Sequence, residues 1–233
     1  MNILIACEES QRVCVEFRKK GHNAFSCDII DQSGGFPEWH IKGDVLKVLN
    51  GGHFVTTDGA THDVQKWDMV IAFPPCTHLA VSGARHFAKK RADGRQREGI
   101  EFFCHFLELE CEKVVIENPV GIISGDYITK YFPDLANRYN LPQKPTQIIH
   151  PWMFGDNYSK STCLWEKGVV PLQPQTTVQP ELEWFEWIDR KTGKKKRQPK
   201  WFADAWKLPP DERAKVRSKT FPGVAKAMAE QWG

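Results

Sequence analysis

Short, solidly apolar runs alternate along the first 140 residues with longer stretches in which apolar positions recur every three or four residues. Asn2 to Cys7 is such a run and predicts a short buried strand. A helix follows from about Ser10 to Lys20, with Ser10 as its N-cap, Val13, Cys14 and Phe17 as its apolar stripe and Gly21 as its C-cap. Ala24 to Ile30 predicts a second strand that closes on Asp28. Gly43-Asp44 opens a short apolar segment reaching Leu49, and the polar, Gly-rich residues 50–66 read as a loop or a hairpin insertion. Asp68-Met69-Val70-Ile71 and Lys113-Val114-Val115-Ile116 are two further strands. Between them Ile100, Phe103, Cys104, Leu107 and Cys111 recur at helical spacing within an amphipathic stretch from Arg95 to Glu112. This βαβα order predicts an α/β fold with a parallel, doubly wound sheet.

The pattern changes after Pro142. Thr146 to His150 and Ser161 to Trp165 predict two antiparallel strands. Residues 168–210 are rich in Pro, Trp and Lys and predict a small irregular, aromatic and basic lobe, in which Glu181 to Phe202 folds as a hairpin turning at Thr192-Gly193. The chain closes on a helix with Pro222 near its first turn and with Val224, Ala225, Met228 and Ala229 facing inward. Residues 1–167 and 211–233 thus form one domain around the lobe at 168–210.

A length of 233 residues suits one domain with a small appended lobe. No apolar run approaches the ~18 residues of a spanning helix, and the first residues lack the basic lead of a signal peptide. The seven cysteines are scattered and never form a Cys-x-x-Cys pair. That argues against a metal site or a disulfide framework and for a reducing cytoplasm; a monomer is expected. The net charge of +3 says little, but Arg190 to Lys200 holds seven Lys or Arg and no acid. Trp184, Phe185, Trp187, Trp201, Phe202 and Trp206 flank this run. Cations beside rings suit nucleic acid, with Lys194, Lys195, Lys196 and Arg197 as the candidate contacts. The alternative is a lobe with an aromatic core and a solvated hairpin tip.

The most informative chemistry sits just past two of the strands, in Ala72-Phe73-Pro74-Pro75-Cys76-Thr77 and, 41 residues after Cys76, in Glu117-Asn118-Pro119. A strand, a crossover helix and a parallel strand need roughly 30 residues or more, and neighbouring strands lie about 4.8 Å apart. A thiol and a carboxyl at adjacent carboxyl ends therefore reach one small planar ligand, where open α/β sheets bind ligands.

Phe-Pro-Pro-Cys followed by Glu-Asn-Pro resembles the Pro-Cys and Glu-Asn-Val motifs of cytosine-5 DNA methyltransferases of compact bacterial or phage type. Ser82-Gly83, Cys27-Asp28, Gly43-Asp44 and Phe221-Pro222-Gly223-Val224-Ala225-Lys226-Ala227 are similar to further motifs of that family in the same order. The resemblance covers residues 1–167 and 217–232 and implies a Rossmann-like class I methyltransferase sheet, with the lobe in the position of a target-recognition segment. It assigns the nucleophile to Cys76 and the acid at ring nitrogen 3 to Glu117, with S-adenosylmethionine as methyl donor and DNA as partner. Cofactor contacts are implied at Cys7, Glu8, Ser10, Asp28, Ile29, Asp44, Phe73 and Pro75. Strand-end acids can accept hydrogen bonds from ribose hydroxyls, as in dinucleotide folds.

The residue types suit the reaction. A thiolate adding to carbon 6 of cytosine makes carbon 5 nucleophilic, and an acid at nitrogen 3 eases that addition. Three positions depart from the family. The first-motif loop, Ala6-Cys7-Glu8-Glu9-Ser10-Gln11, holds no glycine; Thr77 replaces the usual Gln; and Gln-x-Arg-x-Arg has no clean counterpart, leaving Lys160 in Ser159-Lys160-Ser161-Thr162 as the candidate cation. Other readings are a methyltransferase of free cytidine nucleotides and a catalytically silent DNA-binding relative. An amino-methyltransferase is disfavoured, because Phe73 and Cys76 replace both ends of its Asp/Asn/Ser-Pro-Pro-aromatic motif.

Overall fold

The computed structural model describes residues 1–233. Its first strand, β1 (Asn2–Ala6), sends Ile3 and Ile5 to one face and Leu4 and Ala6 to the other, and all four are fully buried. A solidly apolar strand needs cover on both faces. Following β1 in chain order are α1 (Arg12–Lys19), β2 (Asn23–Asp28), β3 (His40–Lys42), β4 (Gly52–Val55), β5 (Thr61–Val64), β6 (Met69–Ala72), α2 (Phe87–Ala92), α3 (Arg95–Leu107) and β7 (Lys113–Pro119). Then come α4 (Tyr127–Tyr131), α5 (Pro133–Arg138), β8 (Gln147–Ile149), β9 (Thr162–Lys167), β10 (Trp184–Ile188), β11 (Lys195–Pro199), α6 (Lys200–Asp204), α7 (Pro210–Ser218) and α8 (Pro222–Trp232).

Seven strands form one sheet in the order β3-β2-β1-β6-β7-β9-β8. β3, β2, β1, β6 and β7 are parallel, and β9 runs antiparallel between β7 and β8. α1 and α8 cover one face, where Val13, Phe17, Val224 and Met228 meet Ile3, Ile5, Met69 and Ile71. α3 and the β4–β5 hairpin cover the other, where Ile100, Phe103 and Phe54 meet Leu4, Phe25 and Val70. This is the α/β, doubly wound, Rossmann-like sheet expected from the sequence. Strand order reverses between β1 and β6, so the crevice for a ligand opens at their carboxyl ends. No helix is long and apolar enough to cross a membrane.

Residues 50–66 form the hairpin insertion, and β8 and β9 pair antiparallel as expected. Several boundaries differ. α1 starts at Arg12 with Gln11 as N-cap, not Ser10, because the Glu8 carboxylate takes the amides of Val13 (2.7 Å) and Cys14 (3.2 Å). β2 ends at Asp28, leaving Ile29 and Ile30 exposed. The third strand precedes Gly43-Asp44, and the apolar residues beyond form a 3-10 turn whose Leu46 amide Asp44 caps at 3.0 Å.

The lobe's hairpin is β10–β11, turning through Gly193 at φ 66°. Residues 170–176 pack with the core rather than the hairpin. Leu172 is buried there, and Trp232 Nε1 donates to the Val170 carbonyl at 2.8 Å. α8 docks through Gly223, whose amide donates to Asp156 Oδ2 at 2.8 Å. Only glycine fits, since a Cβ there would lie 2.0 Å from the Phe154 carbonyl oxygen.

Candidate active site at the carboxyl edge of the sheet

After β6 the chain leaves through Phe73, whose amide still donates to Ala6 of β1 at 2.9 Å. The two prolines then direct it to Cys76, whose carbonyl accepts from Leu79 (3.0 Å) and Ala80 (2.9 Å) to close a tight turn. This loop is stitched to the end of β7. Asn118 Nδ2 donates to the Pro74 carbonyl at 2.8 Å, Val81 N to Val120 O at 3.1 Å and Ile122 N to Leu79 O at 3.0 Å. At Gly121 a Cβ would stand 2.6 Å from the Leu79 oxygen, so the close approach requires glycine. Prolines lack amide donors, and the Asn118 side chain supplies the tie that a ladder bond cannot.

β9 begins opposite the end of β7, with Thr162 against Pro119 and Leu164 against Glu117. That pairing brings Lys160 to Glu117, with Nζ 3.6 Å from Oε1 and both side chains largely buried. Burial pushes the Cys76 thiol up, as does Glu117, whereas Lys160 and Arg217 pull it down. Glu117 and Lys160, both named from the sequence, are thus an ion pair whose charges act on Cys76.

Arg217 is an addition that the sequence reading missed. It comes from α7, where its guanidinium lies 3.9 Å from the Phe202 ring centroid and 5.9 Å from that of Trp206. Trp201 fastens this part of the lobe by donating to the Ser159 carbonyl at 3.2 Å, next to Lys160. The signal for α7 was present in Pro210 at the first helical position, Asp211 and Glu212 in the first turn and Lys215 and Arg217 in the last.

A second group of predicted residues gathers at the ends of β1, β2 and β3. Cys7 is pushed up by burial first and then by the negative charges of Asp28, Cys27 and Asp44. Asp28 is raised by its own burial and by Glu9. Glu9 Oε1 is buried without a hydrogen-bond partner. Of the adjacent glutamates, Glu8 is committed to α1, so Glu9 is the one with a free acceptor. Ser10, Gln11, Gly34 and Phe36 share the wall of a cavity of about 250 Å³ with Pro222 of α8. Ile29 is 73% exposed at the rim, Phe73 packs against the α1–α8 core, and Pro75 is exposed beside Cys76. The unpartnered Glu9 oxygen and the strand-end carboxylates Asp28 and Asp44 fit a ligand rich in hydroxyl and amine donors, and S-adenosylmethionine is one.

No protein-family model matches the chain, and no curated protein matches it. A solved structure of an inferred DNA modification methyltransferase encoded within an E. coli prophage matches it over 93% of this chain and 69% of that one. The identity is 11% and the TM-score 0.45.

The glycine-free loop still makes the turn that glycine usually makes. Cys7 and Gln11 both adopt left-handed conformations, at φ 60° and 56°, which cost a non-glycine residue about 1–2 kcal/mol. Buried hydrogen bonds offset this. Gln11 donates to the Phe36 carbonyl at 2.8 Å and to Ser26 Oγ at 3.3 Å, and accepts from the Phe36 amide at 3.1 Å.

Burial also raises Glu8 from its ordinary 4.5 to about 7, against the pull of the two amides. Between those pH values the folded chain keeps a proton that the unfolded chain has released. Stability therefore falls as pH rises from about 4.5 to 7, on the order of 3 kcal/mol from this group. Glu166, half-buried and also raised by burial to about 7, tilts the curve the same way. Thermal melts should accordingly give a higher Tm at pH 5 than at pH 8. Glu8→Gln should flatten that dependence, and a variant with the wild-type pH profile would refute the assignment.

The basic hairpin does not contact this site. Lys195 pairs with Glu186 (2.6 Å), Lys196 with Asp189 (2.5 Å) and Lys200 with Asp204 (2.9 Å). Lys194 has no carboxylate partner, and Arg197 stacks over Trp184 at 4.4 Å. Phe185 and Trp187 stack on each other and remain substantially exposed.

Proposed function

We propose that the protein transfers a methyl group from S-adenosylmethionine to carbon 5 of cytosine in DNA, through a covalent bond from Cys76 to carbon 6. The convergence of Cys76, Glu117 and Lys160 at neighbouring strand ends carries this reading. Cys76 releases its thiol proton to solvent, and its sulfur adds to carbon 6. The carbon 5–carbon 6 double bond shifts electrons toward carbon 5. Glu117, once it has taken a proton from solvent, donates it to ring nitrogen 3, which accepts the charge pushed through the ring and later returns the proton. Lys160 holds the Glu117 carboxyl and favours the thiolate. When bound, S-adenosylmethionine supplies the methyl group as an electrophile; Glu9, Asp28 and Asp44 are the acceptors for its amine and hydroxyl donors. Loss of the carbon 5 proton to a water molecule and cleavage of the sulfur–carbon 6 bond then restore the ring and the cysteine thiolate.

In duplex DNA the base must first leave the stack, at a cost of a few kcal/mol. The exposed rings and cations of β10 and β11 suit binding of the strand. If four cations of the run between Arg190 and Lys200 meet phosphates, log affinity should fall against log salt with a slope of about −4. Lys194→Ala with Arg197→Ala should make that slope shallower by about 2. A slope that does not move would remove the hairpin from the interface.

A second reading, methylation of a free cytidine nucleotide, is favoured by one observation. Three cations of the run are already paired within the chain. Mass spectrometry of nucleosides from cells expressing the protein separates the two. 5-Methyldeoxycytidine in DNA is the expected product; its absence from DNA together with its presence in the nucleotide pool would select the second reading. With neither product and no calorimetric binding of S-adenosylmethionine, the protein would be a silent relative.

A further inference from the structure

Every carbonyl of the turn from Cys76 to Leu79 is taken. The Cys76 oxygen accepts from the Leu79 and Ala80 amides, and the Leu79 oxygen accepts from the amide of Ile122, beyond β7. The two oxygens between them are held by side chains. Lys90 of α2 donates to the Thr77 carbonyl through its ammonium, and Gln96 of α3 donates to the His78 carbonyl at 3.2 Å. Lys90 is 8% exposed and Gln96 fully buried. Carbonyls out of water need partners, but a buried ammonium is a costly donor where a neutral one would serve. The Gln96 amide is aimed by a directional chain. Arg91 can only donate, and its Nη1 donates to the Tyr127 hydroxyl at 2.6 Å. That hydroxyl donates in turn to Gln96 Oε1 at 2.9 Å, which leaves Nε2 for His78. Gly99 lies one turn beyond Gln96 on the same face of α3. A Cβ there would stand 3.4 Å from Leu79 Cδ2 and 3.5 Å from His78 Cβ, so the helix rests directly on the turn. At Gly83 a Cβ would stand 3.4 Å from Lys90 Nζ and 3.7 Å from the Thr77 oxygen. Two further charges act on Lys90, those of Arg95 and Asp93, and these two are paired with each other at 2.9 Å.

We infer that Lys90 and Gln96 are positioning residues for the Cys76 nucleophile: by holding the Thr77 and His78 carbonyls from two helices, they fix the turn that presents the sulfur to its substrate. The inference deepens the proposed cytosine reading and rests on it only for what the sulfur attacks. A misplacement of about 1 Å at a reacting atom costs on the order of 10²-fold, and this turn has no strand ladder to hold it. Lys90 adds a second effect. Its ammonium is bonded to the residue next to Cys76, and a positive charge there favours the thiolate. The other charges acting on the thiol are Glu117, which opposes its ionisation, and Lys160 and Arg217, which favour it.

Lys90→Met, Lys90→Arg and Gln96→Leu in the full-length protein test this through two rates. Single-turnover methyl transfer at saturating DNA and S-adenosylmethionine should fall on the order of 10²-fold in Lys90→Met and about tenfold in Gln96→Leu. Affinity for DNA should stay within about twofold of wild type, because the loss lies in the chemical step. The second rate is alkylation of Cys76 by iodoacetamide, followed on its own peptide by mass spectrometry. Its pH midpoint should move upward in Lys90→Met and stay in place in Gln96→Leu. Lys90→Arg, which keeps the charge and a donor, should recover most of both rates. Tyr127→Phe releases Gln96 without touching the turn, so it should repeat the Gln96→Leu loss in milder form even if Gln96→Leu fails to fold. Lower melting temperatures with both rates as in wild type would make these residues structural and overturn the inference. A Lys90→Met midpoint equal to that of wild type would overturn it too. If the wild type transfers no methyl group while the Lys90→Met midpoint still moves, the positioning role stands and the cytosine reading fails. Wild-type transfer that every variant retains would remove the positioning role and leave the cytosine reading intact.

Discussion

Cys76→Ser should lose methyl transfer by on the order of 10⁴-fold or more, because an alcohol is a far poorer nucleophile than a thiolate. DNA containing 5-fluorocytosine should trap the wild-type protein covalently. The fluorine at carbon 5 cannot depart as a proton does, so the sulfur–carbon 6 bond persists. The adduct should resist denaturing electrophoresis and should be absent from Cys76→Ser. Turnover by that variant within tenfold of wild type would remove Cys76 from the chemistry, and the covalent mechanism with it.

Glu117→Gln should separate two properties that usually move together. Turnover should drop by roughly 10²–10⁴-fold, since a positioned acid contributes on that scale, while affinity for DNA stays near wild type. The thiol should respond in the opposite sense. Glu117 raises Cys76 by its negative charge, so its neutral replacement lowers the thiol pKa and speeds alkylation near neutral pH. Lys160→Gln removes a stabilising cation and should slow alkylation at the same pH. A Glu117→Gln protein that is both inactive and slower to alkylate would mean that the carboxyl shapes the loop rather than the reaction.

Much of this arrangement was legible in the chain. Runs such as Ile3-Leu4-Ile5 and Val114-Val115-Ile116 have no polar alternation because both sheet faces are covered, and that property survives in sequence. Cys76 and Glu117 were visible because each closes such a run. The end of α1 was also legible, since Gly21 at φ 85° marks it locally. Its beginning was not. Ser10 has the composition of a cap, but the acceptor used is Glu8, folded back over five residues by burial that no local pattern reports. β3 escaped because three residues flanked by Trp39 and Gly43 carry no period, and its pairing to β2 alone defines it. Arg217 looked like an ordinary solvated cation among many; only tertiary packing sets its guanidinium against Phe202 and Trp206.

The turn at Cys7 and Gln11 constrains how this chain can change. Gln11→Gly would relieve one strained dihedral but forfeit all three side-chain hydrogen bonds to Ser26 and Phe36. Bringing a glycine back is therefore a loss at first, although glycine is the residue such a turn would ordinarily favour. Gly34 adds to the lock, because a Cβ there would sit 2.6 Å from the Gln11 Cβ, so the two positions are compatible only as a pair. A chain that entered this arrangement stays in it: each single step out is uphill, and Gln11, Gly34 and Ser26 can drift only in concert. Such coupling ties the backbone shape of this loop to three side chains rather than to the freedom of a glycine.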